Sequence, residues 1–177
     1  PEYFGWPKFY RSERNHLVSD SNSITLIYPS AYYSHKNHHL LNQISFDETA
    51  NVEVTISDSE LNDASDSVIF LGRMSREAVF ERYKNVDALL FLSSNESLGM
   101  PILEAISCNL PIICPYAEYT KGLNDENCFF FDLRDPSTLQ LAIETAKSKI
   151  LNGWWPQWSF SQSFKDERGL PIEKIIV

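Results

Sequence analysis

Apolar positions along this chain run together, alternate with polar ones or recur at helical spacing in a regular order. Ile24 to Tyr28 (ITLIY) is an apolar run that predicts a strand, and Pro29-Ser30 with the loop AYYSHKN leads from it into a helix from about Asn37 to Phe46. Val52 to Ile56 alternates and predicts a second strand, followed by an acidic loop, SDSELNDASDS, that reads as solvated surface. Val68 to Leu71 predicts a third strand ended by Gly72, and Arg76 to Lys84 sets Val79, Phe80 and Tyr83 on one helical face. Ala88 to Leu92 and Leu110 to Cys114 are near-continuous apolar runs, the pattern of strands covered on both faces. A helix from Pro101 to Ser107 joins them. Phe129 to Phe131 predicts the last strand, and Asp135-Pro136-Ser137 opens a helix to about Ile150 with Leu139, Ile143 and Ala146 inward. Strands alternating with short helices imply right-handed crossovers and a mostly parallel sheet of about six strands. The fold class is therefore α/β, Rossmann-like, with three layers α/β/α.

Composition narrows this picture. A chain of 177 residues suits one domain with terminal appendages and can bury about 70% of its unfolded surface. The division is a connecting segment over residues 1 to 23, a Rossmann-like unit over 24 to 150, and a C-terminal segment over 151 to 177 that carries three of the four tryptophans. That last segment packs on this unit or on another domain. A net charge of −9 argues against a nucleic-acid partner, which needs a basic face. Three cysteines, Cys108, Cys114 and Cys128, sit in or beside apolar segments, as reduced thiols do. No run approaches the ~20 apolar residues of a membrane span, and no basic-then-apolar start marks a signal peptide.

The chemistry concentrates where VDALLFLSS turns through Asn95-Glu96-Ser97-Leu98-Gly99-Met100 into the helix at Pro101. Such a turn stands at the carboxyl end of a strand, the edge at which open α/β sheets bind ligands, and the first free N–H groups of a helix favour an anion there. Glu96 and Glu104 flank it. Taken alone, the pair reads as a helix-start carboxylate and a solvated helix residue. Glu104, however, is bracketed by Ile102, Leu103, Ala105 and Ile106, so its carboxylate must face a cleft or find donors. His35, His38 and His39 cluster beside Lys36, but no carboxylate or cysteine ligand is spaced near them, and no metal is expected. The six glycines form neither a dinucleotide fingerprint nor a P-loop, and no nucleophile elbow occurs.

Glu, seven residues and Glu, with Gly-Met-Pro between them, resembles the signature of retaining glycosyltransferases of the GT-B fold, family four type. VIFLGRM, SREAVFERYKNVD, ALLFLSSNESLGMPILEAISCNLPIIC and NCFFFDLRDPSTLQLAIETA follow that family's order, over roughly residues 24 to 149. The resemblance implies the donor-binding half of an enzyme that moves a sugar from a nucleotide diphosphate to an acceptor with retention of configuration. The acceptor is not defined by it, and the acceptor-binding N-terminal domain is missing from these residues, so the chain reads as part of a longer polypeptide.

By the same resemblance, Glu104 would accept hydrogen bonds from ribose hydroxyls and Glu96 would meet hydroxyls of the transferred sugar. Ser97 and the N–H groups of Leu98, Gly99 and Met100 would lie against the diphosphate, with Gly99 suited because a side chain would obstruct the approach of an oxyanion. Lys36 matches the lysine that neutralises the diphosphate as the leaving group departs. The family's arginine after a glycine is replaced by Tyr28-Pro29-Ser30, which leaves Arg73 or Ser30 to substitute; Arg73 equally suits a place beside the base, near backbone groups of Met74 and Arg76. Gly122 stands where many members have Glu. No Asp-x-Asp motif occurs, and neither a metal nor another cofactor is implied. The expected location is cytoplasmic, peripheral at the inner face of the cell membrane in a full-length protein. The competing reading is a non-catalytic nucleotide- or nucleotide-sugar-binding module, motivated by the Tyr28-Pro29-Ser30 departure and the missing half.

Overall fold

The computed structural model describes residues 22–46, 49–97, 99–123 and 126–158. Its strands are β1 (Ile24–Tyr28), β2 (Ala50–Val54), β3 (Val68–Phe70), β4 (Ala88–Leu90), β5 (Ile112–Pro115) and β6 (Cys128–Phe131). All pair in parallel, in the order β3-β2-β1-β4-β5-β6. The helices are α1 (Arg76–Tyr83), α2 (Met100–Ser107) and α3 (Pro136–Leu151). This is the three-layer, Rossmann-like arrangement the hydrophobic pattern predicts, matching one half of a GT-B fold. Every strand of the sequence reading is present, with ends shifted by one or two residues.

The core explains the pattern. Ile24, Leu26 and Ile27 of β1, all of β4, and Ile112 to Cys114 of β5 are buried, because helices cover both faces of the central strands. Each fully buried Leu, Ile or Phe contributes about 1.5–3 kcal/mol. α3 starts where Asp135 accepts from the Ser137 N–H at 3.0 Å, with Pro136 supplying no orphan donor. It turns Leu139, Ala142, Ile143 and Ala146 inward over β6, β5 and β1.

Polar positions of the alternating β2 segment face protein as well. Glu53 is buried, and Arg82 of α1 meets it with two bonds, Nε to Oε2 at 2.9 Å and Nη2 to Oε1. Thr55, just past β2, accepts from the Ser30 N–H at 2.9 Å. The strand alternates in chemistry without having a solvent face.

The helix predicted from about Asn37 to Phe46 is not an α-helix. Two short 3-10 turns, Ser34–Lys36 and His38–Asn42, are separated by Asn37 in a left-handed conformation at φ 51° and ψ 33°. The cause is that the carbonyls an α-helix would use point elsewhere. The His35 carbonyl accepts from the Ser94 N–H at 2.8 Å, and the Lys36 carbonyl accepts from the Tyr28 hydroxyl at 2.6 Å. With no α-helix here, His35 and His39 do not share a helical face.

Residues 154–158 close the amino edge of the sheet. Trp158 donates its indole N–H to the Leu110 carbonyl at 2.7 Å, and Asn127 exchanges two hydrogen bonds with Gln157 at 2.9 and 3.2 Å. Trp154 meets Phe129 edge-on with centroids 5.5 Å apart, under the Lys149 ammonium. Residues 1–21 and 159–177, which hold the rest of the expected terminal segments, lie outside the described residues.

Candidate functional site

Strand order reverses between β1 and β4, so the loops leaving these neighbours diverge and open a crevice at the carboxyl edge. The expected site residues collect there from two loops. Lys36, from the loop after β1, pairs its Nζ with Oε1 of Glu96, from the turn after β4. Both side chains are largely enclosed, 15% and 16% exposed, and the Lys36 ammonium also lies 5.8 Å from the Phe91 ring centroid. Enclosure makes such a pair stronger than one on an open surface, where screening leaves little.

A strap of hydrogen bonds carries that geometry. The His35 carbonyl takes the Ser94 N–H and both serine hydroxyls, of Ser93 at 3.3 Å and Ser94 at 3.2 Å. The Asn37 amide donates to the Leu92 carbonyl at 2.8 Å. Tyr119, beyond β5, donates its hydroxyl to the Ser93 carbonyl. Tyr28, fully buried, stacks on His38 at 4.8 Å and meets Phe91 edge-on at 6.0 Å.

Glu104, on α2, is 7% exposed. Arg76 Nε donates to its Oε1 at 3.0 Å and the Tyr83 hydroxyl donates to its Oε2 at 3.3 Å, both from α1. Burial raises the Glu104 carboxyl above the ordinary glutamate range, opposed by the bond and charge of Arg76 and by the Tyr83 bond. The same burial, with the neighbouring carboxylate, raises the Tyr83 hydroxyl. A carboxylate oxygen carries two lone pairs, so one donor to each oxygen leaves acceptor capacity for vicinal hydroxyls.

Gly99 begins α2 in the left-handed region, φ 58° and ψ 53°, and no side chain caps the helix. A Cβ built there would meet Ile102 Cδ1 at 3.3 Å. The glycine is thus required by backbone conformation and by its own helix, a reason different from the obstruction of an approaching oxyanion. Met100 is exposed at the helix start, Ser97 is exposed just before it, and Leu98 lies outside the described residues.

Other expected site residues stand apart. Arg73, exposed after Gly72 (φ 67°), follows the edge strand β3, three strand spacings or roughly 14 Å from β4. Its charge acts on Glu60, whose carboxyl is lowered chiefly by the Ser57 backbone bond. Met74 is half-buried beside it. Ser30 is buried, with its N–H on Thr55, its carbonyl accepting from the Thr55 hydroxyl at 3.3 Å and its own hydroxyl on the Ala31 carbonyl at 3.1 Å. Its donors are engaged within the scaffold. Among the described residues no group of three His, Cys, Asp or Glu side chains converges on a metal-sized site.

Sequence reasoning missed the side chains of Arg76 and Tyr83 as partners of Glu104, and Asn37 as the link between the two loops. Arg76, Phe80 and Tyr83 follow i, i+4, i+7 spacing, which was the available signal; the Arg76 guanidinium indeed lies 5.4 Å from the Phe80 ring centroid.

A parallel sheet with Lys36 and Glu96 meeting at its switch point sets charged groups at the edge where such sheets bind ligands. Residues 10–148 match the family model described as glycosyl transferases group 1, and the chain belongs to that family. It is 29% identical over 113 residues to the serotype-specific mannosyltransferase WbdA of Escherichia coli, covering 59% of this chain and 14% of that protein. The catalytic domain of cholesterol-alpha-glucosyltransferase from Helicobacter pylori superposes with a TM-score of 0.60 at 14% identity, over 73% of this chain and 89% of that one. Anabaena HepE in complex with UDP-glucose superposes with a TM-score of 0.56 at 16% identity, over 75% and 40%. The chain thus spans about one seventh of the length of the curated relative it matches. No described helix is long and apolar enough to cross a membrane.

Proposed function

We propose that residues 24–150 form the donor-binding half of a retaining glycosyltransferase, which moves a sugar from a nucleotide diphosphate to an acceptor hydroxyl. The observation that carries this reading is the meeting of Lys36 and Glu96 at the crevice between β1 and β4, with Glu104 on the helix that begins there. Family membership and the UDP-glucose bound by HepE support a nucleotide-sugar donor.

Glu104 holds the ribose hydroxyls, oriented by Arg76 and Tyr83. The N–H groups at the start of α2, with Ser97, face the diphosphate. Lys36 leaves Glu96 for the phosphate oxygens and offsets the charge that grows on them as the glycosidic bond breaks. Glu96, released from Lys36, accepts from hydroxyls of the sugar. The acceptor oxygen attacks the anomeric carbon on the face the diphosphate is leaving, and its proton passes to the departing phosphate, so configuration is kept. Charge neutralisation is assigned to Lys36 and main-chain donors, with no metal. Arg73 and Met74 border the base, and the acceptor comes from a second domain of a longer polypeptide working in the cytoplasm at the membrane face.

Calorimetric titration with UDP, GDP, dTDP and ADP tests this. One nucleotide binds saturably, and Glu104→Ala weakens it about tenfold to a hundredfold, as loss of charge-assisted hydrogen bonds requires. Binding of none of the four overturns the reading. A non-catalytic module, the alternative suggested by the Tyr28-Pro29-Ser30 departure and the missing half, binds the nucleotide without supporting transfer when the acceptor-binding domain is supplied.

A further inference from the structure

We infer that Asn37 is a positioning residue that holds the Lys36 ammonium against Glu96 across the crevice. Its importance to sugar transfer rests on the function proposed above; its geometry does not. Asn37 is at φ 51°, ψ 33°, a conformation open at low cost to Gly and, among residues with a side chain, mainly to Asn and Asp. That left-handed residue ends one 3-10 turn and begins the next, which swings Lys36 out of any helical continuation and toward the turn after β4. Glycine alone would satisfy the backbone. Asparagine adds an amide that donates to the Leu92 carbonyl at 2.8 Å and to the His35 carbonyl at 3.2 Å. The first of these bonds ties the residue following Lys36 to the strand that carries Glu96.

A second tether acts from below, where the Tyr28 hydroxyl donates to the Lys36 carbonyl at 2.6 Å. Lys36 is therefore gripped on both sides: its own carbonyl by Tyr28 of β1, its neighbour's side chain by Leu92 in the segment that leaves β4. A lysine side chain has four rotatable bonds, and its placement as a point charge depends on where its Cα is fixed. The two tethers fix that Cα relative to Glu96.

Asn37→Gly isolates the amide, because glycine keeps φ 51° without strain. The readout is the rate of reductive methylation of each lysine by formaldehyde and cyanoborohydride, followed by mass spectrometry on the 177-residue chain. Glu96→Gln gives the rate of a released Lys36. In Asn37→Gly, Lys36 methylates about two- to tenfold faster, the span set by one side-chain hydrogen bond, while the other lysines keep their rates. Tyr28→Phe, which retains the ring contacts, shifts the rate in the same direction. An unchanged Lys36 rate in both variants overturns the inference, as does a rise shared by all lysines, which marks general loosening.

A second measurement separates this from the function. In Asn37→Gly, affinity for the nucleoside diphosphate falls about two- to tenfold while affinity for the bare nucleoside is unchanged. A protein that binds no nucleotide in its native form refutes the proposed function, and the methylation rates still decide the role of Asn37.

Discussion

The Tyr83 hydroxyl donates to Oε2 of Glu104 at 3.3 Å, inside the protein; the bond favours the carboxylate, while burial and the carboxylate make the hydroxyl harder to ionise. Tyr83 thus serves as a donor at every working pH, and Arg76 is the cation that offsets the buried carboxylate.

A stability consequence follows from the raised Glu104 carboxyl. Burial is the leading cause and shifts it above its ordinary value of 4.5. A group whose folded pKa is raised contributes stability that is whole below the unfolded pKa and is lost as pH rises through the folded one. Relative to Glu104→Gln, the native protein is therefore expected to lose stability as pH rises above the ordinary value of 4.5 and through the raised one. Tm measured across that range for both proteins checks it; a difference that grows in favour of the native protein with rising pH contradicts it. Tyr83→Phe removes one donor to the carboxylate and moves the window upward.

His38 gives the opposite sign. It is buried between Tyr28 and Tyr32, and neither ring nitrogen has a hydrogen-bond partner among the described residues. Burial, aided by the charge of Lys36 and opposed by Glu60, lowers its pKa from 6.5 to about 4. The neutral ring contributes stability present above pH 6.5 that is lost as pH falls toward about 4. At pH 5 the loss is up to about 2 kcal/mol. His38→Leu removes the titration, so its Tm relative to native protein should rise between about pH 7.5 and about pH 5; denaturation at the two pH values shows whether it does.

Gly99→Ala tests the start of α2. The left-handed φ of 58° and the 3.3 Å approach to Ile102 Cδ1 make an added methyl unfavourable by about 1–2 kcal/mol. Tm should drop by about 2 to 8 °C. Because the strain is relieved by moving the first turn, nucleotide affinity should fall with it. An alanine variant as stable as the native protein would show that the turn tolerates another conformation.

The strands were readable because β1, β4 and β5 are buried on both faces, which leaves uninterrupted apolar runs. The polar positions of β2 and the segment after it were less so: Glu53 and Thr55 are satisfied by Arg82 and Ser30, partners remote in sequence. The two glutamates and Lys36 stood out through their motif, whereas Asn37 did not. Its partner carbonyl at Leu92 is 55 positions away, and the apolar spacing after it mimics a helix that those distant bonds prevent. Gly99 stood out as a position needing glycine, but its left-handed φ did not, since positive φ is invisible in a linear pattern.

The pairing of Lys36 with Glu96 also bears on which molecules can settle at this edge. The cation already has an anionic companion, so a small bystander anion offers only an exchange of one negative neighbour for another. Little is gained by that trade. A molecule that also brings hydroxyls for the freed Glu96 and for Glu104 turns the displacement into several new bonds. Under the proposed function, the resting ion pair would act as a filter, rejecting charge alone and admitting charge accompanied by a sugar.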